Sequence, residues 1–329
     1  PVLLARVAAA SASTGQWPIA RRAYEKLVAR YPDTPMGRRE QVEFAEALFR
    51  TGATVQARAQ LEQAAAAGGD AAPRALLLLA QMDETGGRRR EALAAYDRVL
   101  RDYPRIERST PSLLSHARLL EDFGEVDRMP PLLLRVVAQT DGEVAAEAAY
   151  RLGRILNAEG LHADAVEWYM TAAYVAEGSR WARLALLGAG SSLTALRALN
   201  EAVAVYRKLL PANGLARTQD RETSGEAAYR VAEILRGAGQ HEDALDMYLT
   251  SAYLTPGSPA EPRALVGAVQ CLVARGDRLS AEAIYRRLLQ SSTTEPEFLA
   301  TARQALRGAG GAARDRSGMT ESALPKSAR

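Results

Sequence analysis

The chain has 329 residues, 47% of them hydrophobic but only 6% aromatic, with 42 basic and 39 acidic side chains for a formal charge of +3. That near-balance, with no basic block interleaved with aromatics, argues against nucleic acid as a partner. No run of 18 apolar residues exists to form a helical membrane span, and the single cysteine, Cys271, excludes an intrachain disulfide and a thiolate metal cluster.

Alanine- and leucine-rich composition, with apolar residues recurring at the helical period, predicts an all-helical protein. Val2 to Thr14 reads as an alanine-rich helix stopped by Gly15. Trp17 to Tyr31 reads as its partner, with Ala20, Tyr24 and Leu27 inward and Pro32 closing the unit. Met36 to Thr51 and Thr54 to Ala67 form a second hairpin, punctuated by Gly52 and Gly68-Gly69, with Leu61 in the slot that Tyr24 fills in the first. Pro73 to Tyr103 forms a third, with Gly87, Ala92, Tyr96 and Pro104 at matching intervals. In the fourth, Thr110 is expected as N-cap and Pro111 at the first helical position, with His116 half-buried on that helix. Its second helix carries Pro130-Pro131, tolerated only in a first turn, so it should begin at about Met129.

The most informative stretch runs from Glu147 to Ser179 and recurs from Glu226 to Ser258, an offset of 79 residues. The same offset relates Gly188 to Gly267, Tyr206 to Tyr285 and Leu210 to Leu289. Fixed-period self-similarity marks a stacked repeat architecture, and each 79-residue block holds two helical hairpins.

The smaller unit resembles a tetratricopeptide repeat. From Ala146 onward, Leu152, Gly153, Gly160, Ala165, Tyr169 and Ala172 stand where that family places Leu-like, small, Gly, small, aromatic and small residues. Small residues let two helices cross closely, and Gly ends the first helix in a left-handed cap. The resemblance implies a right-handed superhelical α-solenoid of about eight hairpins, starting near residues 1, 38, 73, 110, 146, 183, 225 and 262. One wide spacing, of 42 residues, marks Pro211 to Arg221 as an exposed loop. A capping helix is expected over 297–307, closing a solenoid of residues 1–307, and a flexible tail over 308–329.

No catalytic constellation stands out, and no enzyme activity, cofactor or metal is expected. His162 and His241 occupy one slot in successive blocks, two hairpins apart, too far from each other to share a metal. Gly188-Ala-Gly190 lies inside a helical pattern with no preceding strand, so it is no dinucleotide fingerprint. Cys271 reads as a small buried apolar residue.

The resemblance implies that first helices line a concave groove through repeat positions 2, 5, 9, 12 and 13. Those positions are Glu147, Tyr150, Arg154, Asn157 and Ala158 in the fifth unit. They are Leu184, Leu187, Ser191, Thr194 and Ala195 in the sixth, and Glu226, Tyr229, Glu233, Arg236 and Gly237 in the seventh. Tyr150, Arg154, Asn157, Leu187, Tyr229 and Arg236 are the candidate partner-binding residues, offering rigid aromatic area plus directional donors for a protein ligand. In the first unit the same positions are Val2, Ala5, Ala9, Ala12 and Ser13, a nearly apolar face that further repeats or another subunit should cover.

Two functions fit this reading. One is a scaffold or adaptor of a bacterial multiprotein assembly. The junctions YEKLVARYPDTP and LTSAYLTPGSP resemble those of envelope tetratricopeptide proteins, which implies the cell envelope or periplasm, with the cytoplasm as the alternative. The other is a regulatory or sensory module of a larger enzyme. The chain opens at Pro1 rather than Met, as a processed or excised segment would.

Overall fold

The computed structural model describes residues 1–34, 36–106, 109–211, 221–290 and 294–318, with backbone alone for 308–318. Among them it contains α-helices, one short 3-10 turn and no strand. The chain is an all-α repeat solenoid that divides into two compact units, Pro1–Gln139 and Thr140–Arg329.

The first unit holds four hairpins: α1 (Val2–Ser13) with α2 (Trp17–Arg30), α3 (Arg38–Arg50) with α4 (Thr54–Ala67), α5 (Ala72–Thr85) with α6 (Arg89–Asp102), and α7 (Thr110–Asp122) with α8 (Pro130–Gln139). Each second helix of the first three hairpins also packs on the first helix of the next, and α1, α3 and α5 adjoin in sequence. Tyr24, Leu48 and Leu61, all fully buried, lie in the core of this unit.

In α7 the N-cap is Ser109, not Thr110, and Pro111 occupies the second helical position. Proline is accommodated there because none of the first four helical amides has an intrahelical acceptor. The double proline behaves as expected: a 3-10 turn, Val126–Arg128, precedes α8, which begins at Pro130. His116 is fully buried rather than half-buried, at 1% exposure. Its ring stacks on Tyr96 at 5.3 Å, and Asp97 lies 3.1 Å from Nε2, so the polar edge is satisfied inside.

The second unit continues with α9 (Gly142–Ala158), α10 (His162–Val175), α11 (Arg180–Ala195), α12 (Leu199–Arg207), α13 (Arg221–Gly237), α14 (His241–Leu254), α15 (Ala260–Ala274), α16 (Arg278–Gln290) and α17 (Pro296–Gly318). The 79-residue period survives in the boundaries: α13 and α14 start and stop 79 residues after α9 and α10. First helices begin two to four residues ahead of the repeat register at 146, 183, 225 and 262. Here too the first helices α9, α11, α13 and α15 adjoin one another, and second helices sit between them.

The buried tyrosines explain the glycines that face them. A Cβ on Gly153 or Gly188 would lie 2.7 or 2.5 Å from the Tyr169 ring, and one on Gly190 would lie 2.4 Å from Tyr206. Gly188 and Gly190 are therefore seats for rings, which accounts for the motif that superficially matched a nucleotide-binding fingerprint.

The last helix packs on α15 and α16 through Ala302 and Leu306 and continues past Arg307 to Gly318. Ala309, Ala312, Ala313, Arg314 and Arg316 are strong helix formers and carry the backbone ladder through the intervening glycines. Residues 212–220, most of the expected loop, and 319–329, the end of the expected tail, lie outside the described residues.

Candidate functional site

The six candidate residues fall on three first helices of the second unit: Tyr150, Arg154 and Asn157 on α9, Leu187 on α11, Tyr229 and Arg236 on α13. The structure does not bring them into one pocket, and it gives them different work.

Tyr150 is half-buried, its ring 5.9 Å from Tyr169 and 5.6 Å from Trp181. The exposed guanidinium of Arg154 lies 5.9 Å above the Tyr150 ring, and Arg180 and Arg151 lie 5.6 and 5.8 Å from the Trp181 ring. This aromatic and guanidinium cluster is the most recognition-like feature of the face, since such stacks hold rigid area and directed donors together. Burial pushes the Tyr169 hydroxyl up to about 12, the Tyr150 charge adding to this and Arg154 opposing it.

Tyr229 forms a second such centre. The Arg263 guanidinium sits 3.8 Å from its ring centroid, and Tyr248 meets it edge-on at 5.8 Å. Arg263 also pairs with Glu226, which accepts from Arg230 Nε at 2.7 Å. Burial raises the pKa of Tyr229, with Glu233 adding to it and three arginines opposing.

Arg236 and Asn157 are engaged internally. Arg236 donates from Nε to Tyr248 Oη and from a terminal nitrogen to Glu233, both at 2.9 Å. Asn157 Oδ1 accepts from Ser192 at 2.8 Å and lies 3.0 Å from His162 Nδ1, tying α9, α10 and α11 together. Leu187 is half-buried and packs on the core of the unit. His162 thus serves as a hydrogen-bonding partner of Asn157, while His241 Nδ1 is buried with no partner among the described residues.

Trp181 and Arg263 were not among the candidates. Arg263 stands at position 2 of the eighth repeat, so the register itself points to it. Trp181 precedes its repeat register by two positions, and the only signal for it is a large aromatic in the first turn of α11. A cavity of about 400 Å³ opens between α11 and α13, lined by Ser191, Thr194, Arg197, Tyr206, Arg230 and Glu233 among others. It contains expected groove positions but none of the six candidates. No group of three potential metal-ligating side chains occurs among the described residues, and none of their helices is long and apolar enough to cross a membrane.

Tetratricopeptide-repeat family models match residues 74–105, and residues 10–73 and 114–180. Among solved structures, the C-terminal part of a TPR repeat-containing protein from Cytophaga hutchinsonii aligns with a TM-score of 0.57 at 11% identity, covering 79% of this chain and 98% of that one. The type IV pilus biogenesis factor PilW aligns at 0.47 and 18% identity, over 71% of this chain and 99% of its own. Pseudomonas aeruginosa PilF aligns at 0.46 and 13%, over 70% and 97%. Of these three, the Cytophaga alignment alone bears on the fold, and none bears on a ligand. No curated protein matches this chain in sequence.

Proposed function

From a chain that belongs to the tetratricopeptide-repeat family, we propose a non-catalytic scaffold or adaptor that binds a protein partner across the first helices of its second unit. The carrying observation is the half-exposed cluster of Tyr150, Trp181 and Arg154, followed two hairpins later by Tyr229 under Arg263. Aromatic and arginine side chains dominate binding energy at protein interfaces because they present large area at low entropic cost. Tyr150, Arg154 and Tyr229 remain candidate contacts, joined by Trp181 and Arg263. Asn157, Leu187 and Arg236 act by holding that face in shape. The bacterial envelope is the proposed setting, on the strength of the proline-closed junctions at Tyr31-Pro32 and Thr255-Pro256. On α1, Val2 and Leu3 are 71% and 76% exposed, and further repeats or another subunit are proposed to cover them.

The test is affinity capture from envelope and soluble fractions of the source cells, comparing the native chain with Tyr150→Ala plus Tyr229→Ala and with Arg154→Glu. A partner recovered by the native chain should be bound at least about tenfold more weakly by the double variant. If both variants bind it normally, recognition lies elsewhere on the molecule.

A further inference from the structure

Two second helices of the second unit present the same outward face twice. On α10, Glu167, Met170, Thr171 and Tyr174 fall at i, i+3, i+4 and i+7; on α14, Asp246, Leu249, Thr250 and Tyr253 repeat that order. Such spacing puts four side chains on one side of a helix. Tyr174 is 88% exposed and Tyr253 72% exposed. Neither makes a hydrogen bond or ring contact among the described residues, whereas Tyr24, Tyr96, Tyr169, Tyr206 and Tyr248 are all buried in repeat cores. Each threonine turns back on its own helix, Thr171 to the Glu167 carbonyl at 2.9 Å and Thr250 to the Asp246 carbonyl at 2.8 Å, which leaves the ring and carboxylate as the outward groups.

Pro211 stands in the corresponding repeat slot of the intervening hairpin. It lines a cavity of about 880 Å³ with Met170 and Tyr174, and another of about 410 Å³ with Leu249 and Tyr253. The rings thus flank clefts on either side of one proline.

Charge identifies the occupant. Helices α10 and α14 contain no Lys or Arg and carry Asp164, Glu167, Glu242, Asp243 and Asp246. Glu242 lies 3.6 Å from Arg275; the other four make no ion pair among the described residues. Between them the charge is mixed: α12 carries Glu201 and Arg207, and Glu177, Arg183 and Lys208 line the larger cavity beside Tyr174, whereas Asp246 is the charged residue lining the smaller one beside Tyr253.

We propose that the α10 and α14 face docks an extended basic segment of a protein partner. Its Lys or Arg stems lie over Tyr174 and Tyr253, and the unpaired carboxylates neutralise their charges. The same carboxylates repel nucleic-acid phosphates and anionic lipid headgroups, which leaves a cationic polypeptide. This surface lies on second helices and stands independently of the first-helix face.

The experiment is fluorescence anisotropy on the full chain, using a labelled peptide of alternating Arg and Pro and a Glu and Pro peptide of equal length. The Arg peptide should bind and the Glu peptide should not. Tyr174→Ala with Tyr253→Ala should weaken binding roughly tenfold, the loss of two cation–π contacts, with melting unchanged because both rings are exposed. Glu167→Gln with Asp246→Asn should flatten the salt dependence. Tyr150→Ala with Tyr229→Ala should leave binding intact, which separates this surface from the first-helix face. Equal binding of both peptides, or indifference to the tyrosine variant, overturns the proposal. So does salt-sensitive self-association abolished by that variant, since the occupant would then be a second copy of the chain.

Discussion

Single positions carry much of the repeat logic. Seven hairpins end their first helix with a glycine at φ between 73° and 88°, such as Gly15 and Gly160, but the sixth uses Arg197 at φ 63°. An L-residue in that region is strained by its Cβ, and glycine is not. Arg197→Gly should therefore stabilise the protein by about 0.5–1 kcal/mol, less than the full strain because glycine also frees the unfolded chain. Chemical denaturation checks the sign. Gly188→Ala should do the opposite. Alanine favours a helix by about 1 kcal/mol, but its Cβ would stand 2.5 Å from the Tyr169 ring. Overpacking of about 1–3 kcal/mol should dominate, and an unchanged midpoint would show that the ring moves freely. Cys271 is fully buried, and burial raises its pKa. It should resist alkylation in the native chain and react once denaturant opens the second unit.

Between helices, the buried tyrosines act as polar-tipped spacers. Tyr24 Oη donates to Glu43 at 2.9 Å, Tyr96 Oη to Glu84 at 2.8 Å, and Tyr248 Oη to Glu233. Burial first, then the adjacent carboxylate, raises the pKa of all three well above the ordinary 10.0, while Tyr169 reaches about 12. The folded state thus keeps these phenols protonated where the unfolded chain ionises them. Their contribution is fully present below about pH 10 and is lost as pH rises through 10 towards 12 and beyond. Melting temperature should accordingly fall above pH 10, with the tyrosinate absorbance of the buried rings appearing together with unfolding. Absorbance that reaches the full value of the unfolded chain before helicity is lost would contradict this. The block copy is not perfect at this level. Glu233 and Arg236, which serve Tyr248, correspond across 79 residues to Arg154 and Asn157 beside Tyr169. The first block therefore directs its polar groups to Tyr150, His162 and Ser192, and the second to its own tyrosine.

For the molecule as a whole, the division at Gln139 and Thr140 gives each unit its own core. A compact unit with its own core can fold alone. Residues 140–329 expressed separately should retain helical circular dichroism and melt cooperatively. A fragment without a cooperative transition would mean that the second unit depends on the first. Stability in such stacks comes from nearest-neighbour contacts, so substitutions in one unit should leave the other's transition in place.

Helix identity and repeat length were legible because they depend on local spacing: Ala, Leu and Tyr at helical intervals, Gly at each first-helix end, and a 79-residue copy that reappears in the boundaries of α9, α10, α13 and α14. Pro130-Pro131 likewise located the start of α8, since a missing amide acts where it stands. Which groove residues remain outward was not legible. Arg236 and Tyr150 occupy equivalent kinds of repeat position, yet Arg236 turns to Tyr248 and Glu233, while Tyr150 meets Trp181, which itself stands outside the register. Spacing along one helix states which side a residue occupies. Whether its polar group finds a partner there depends on the neighbouring helix, and packing between hairpins settles that.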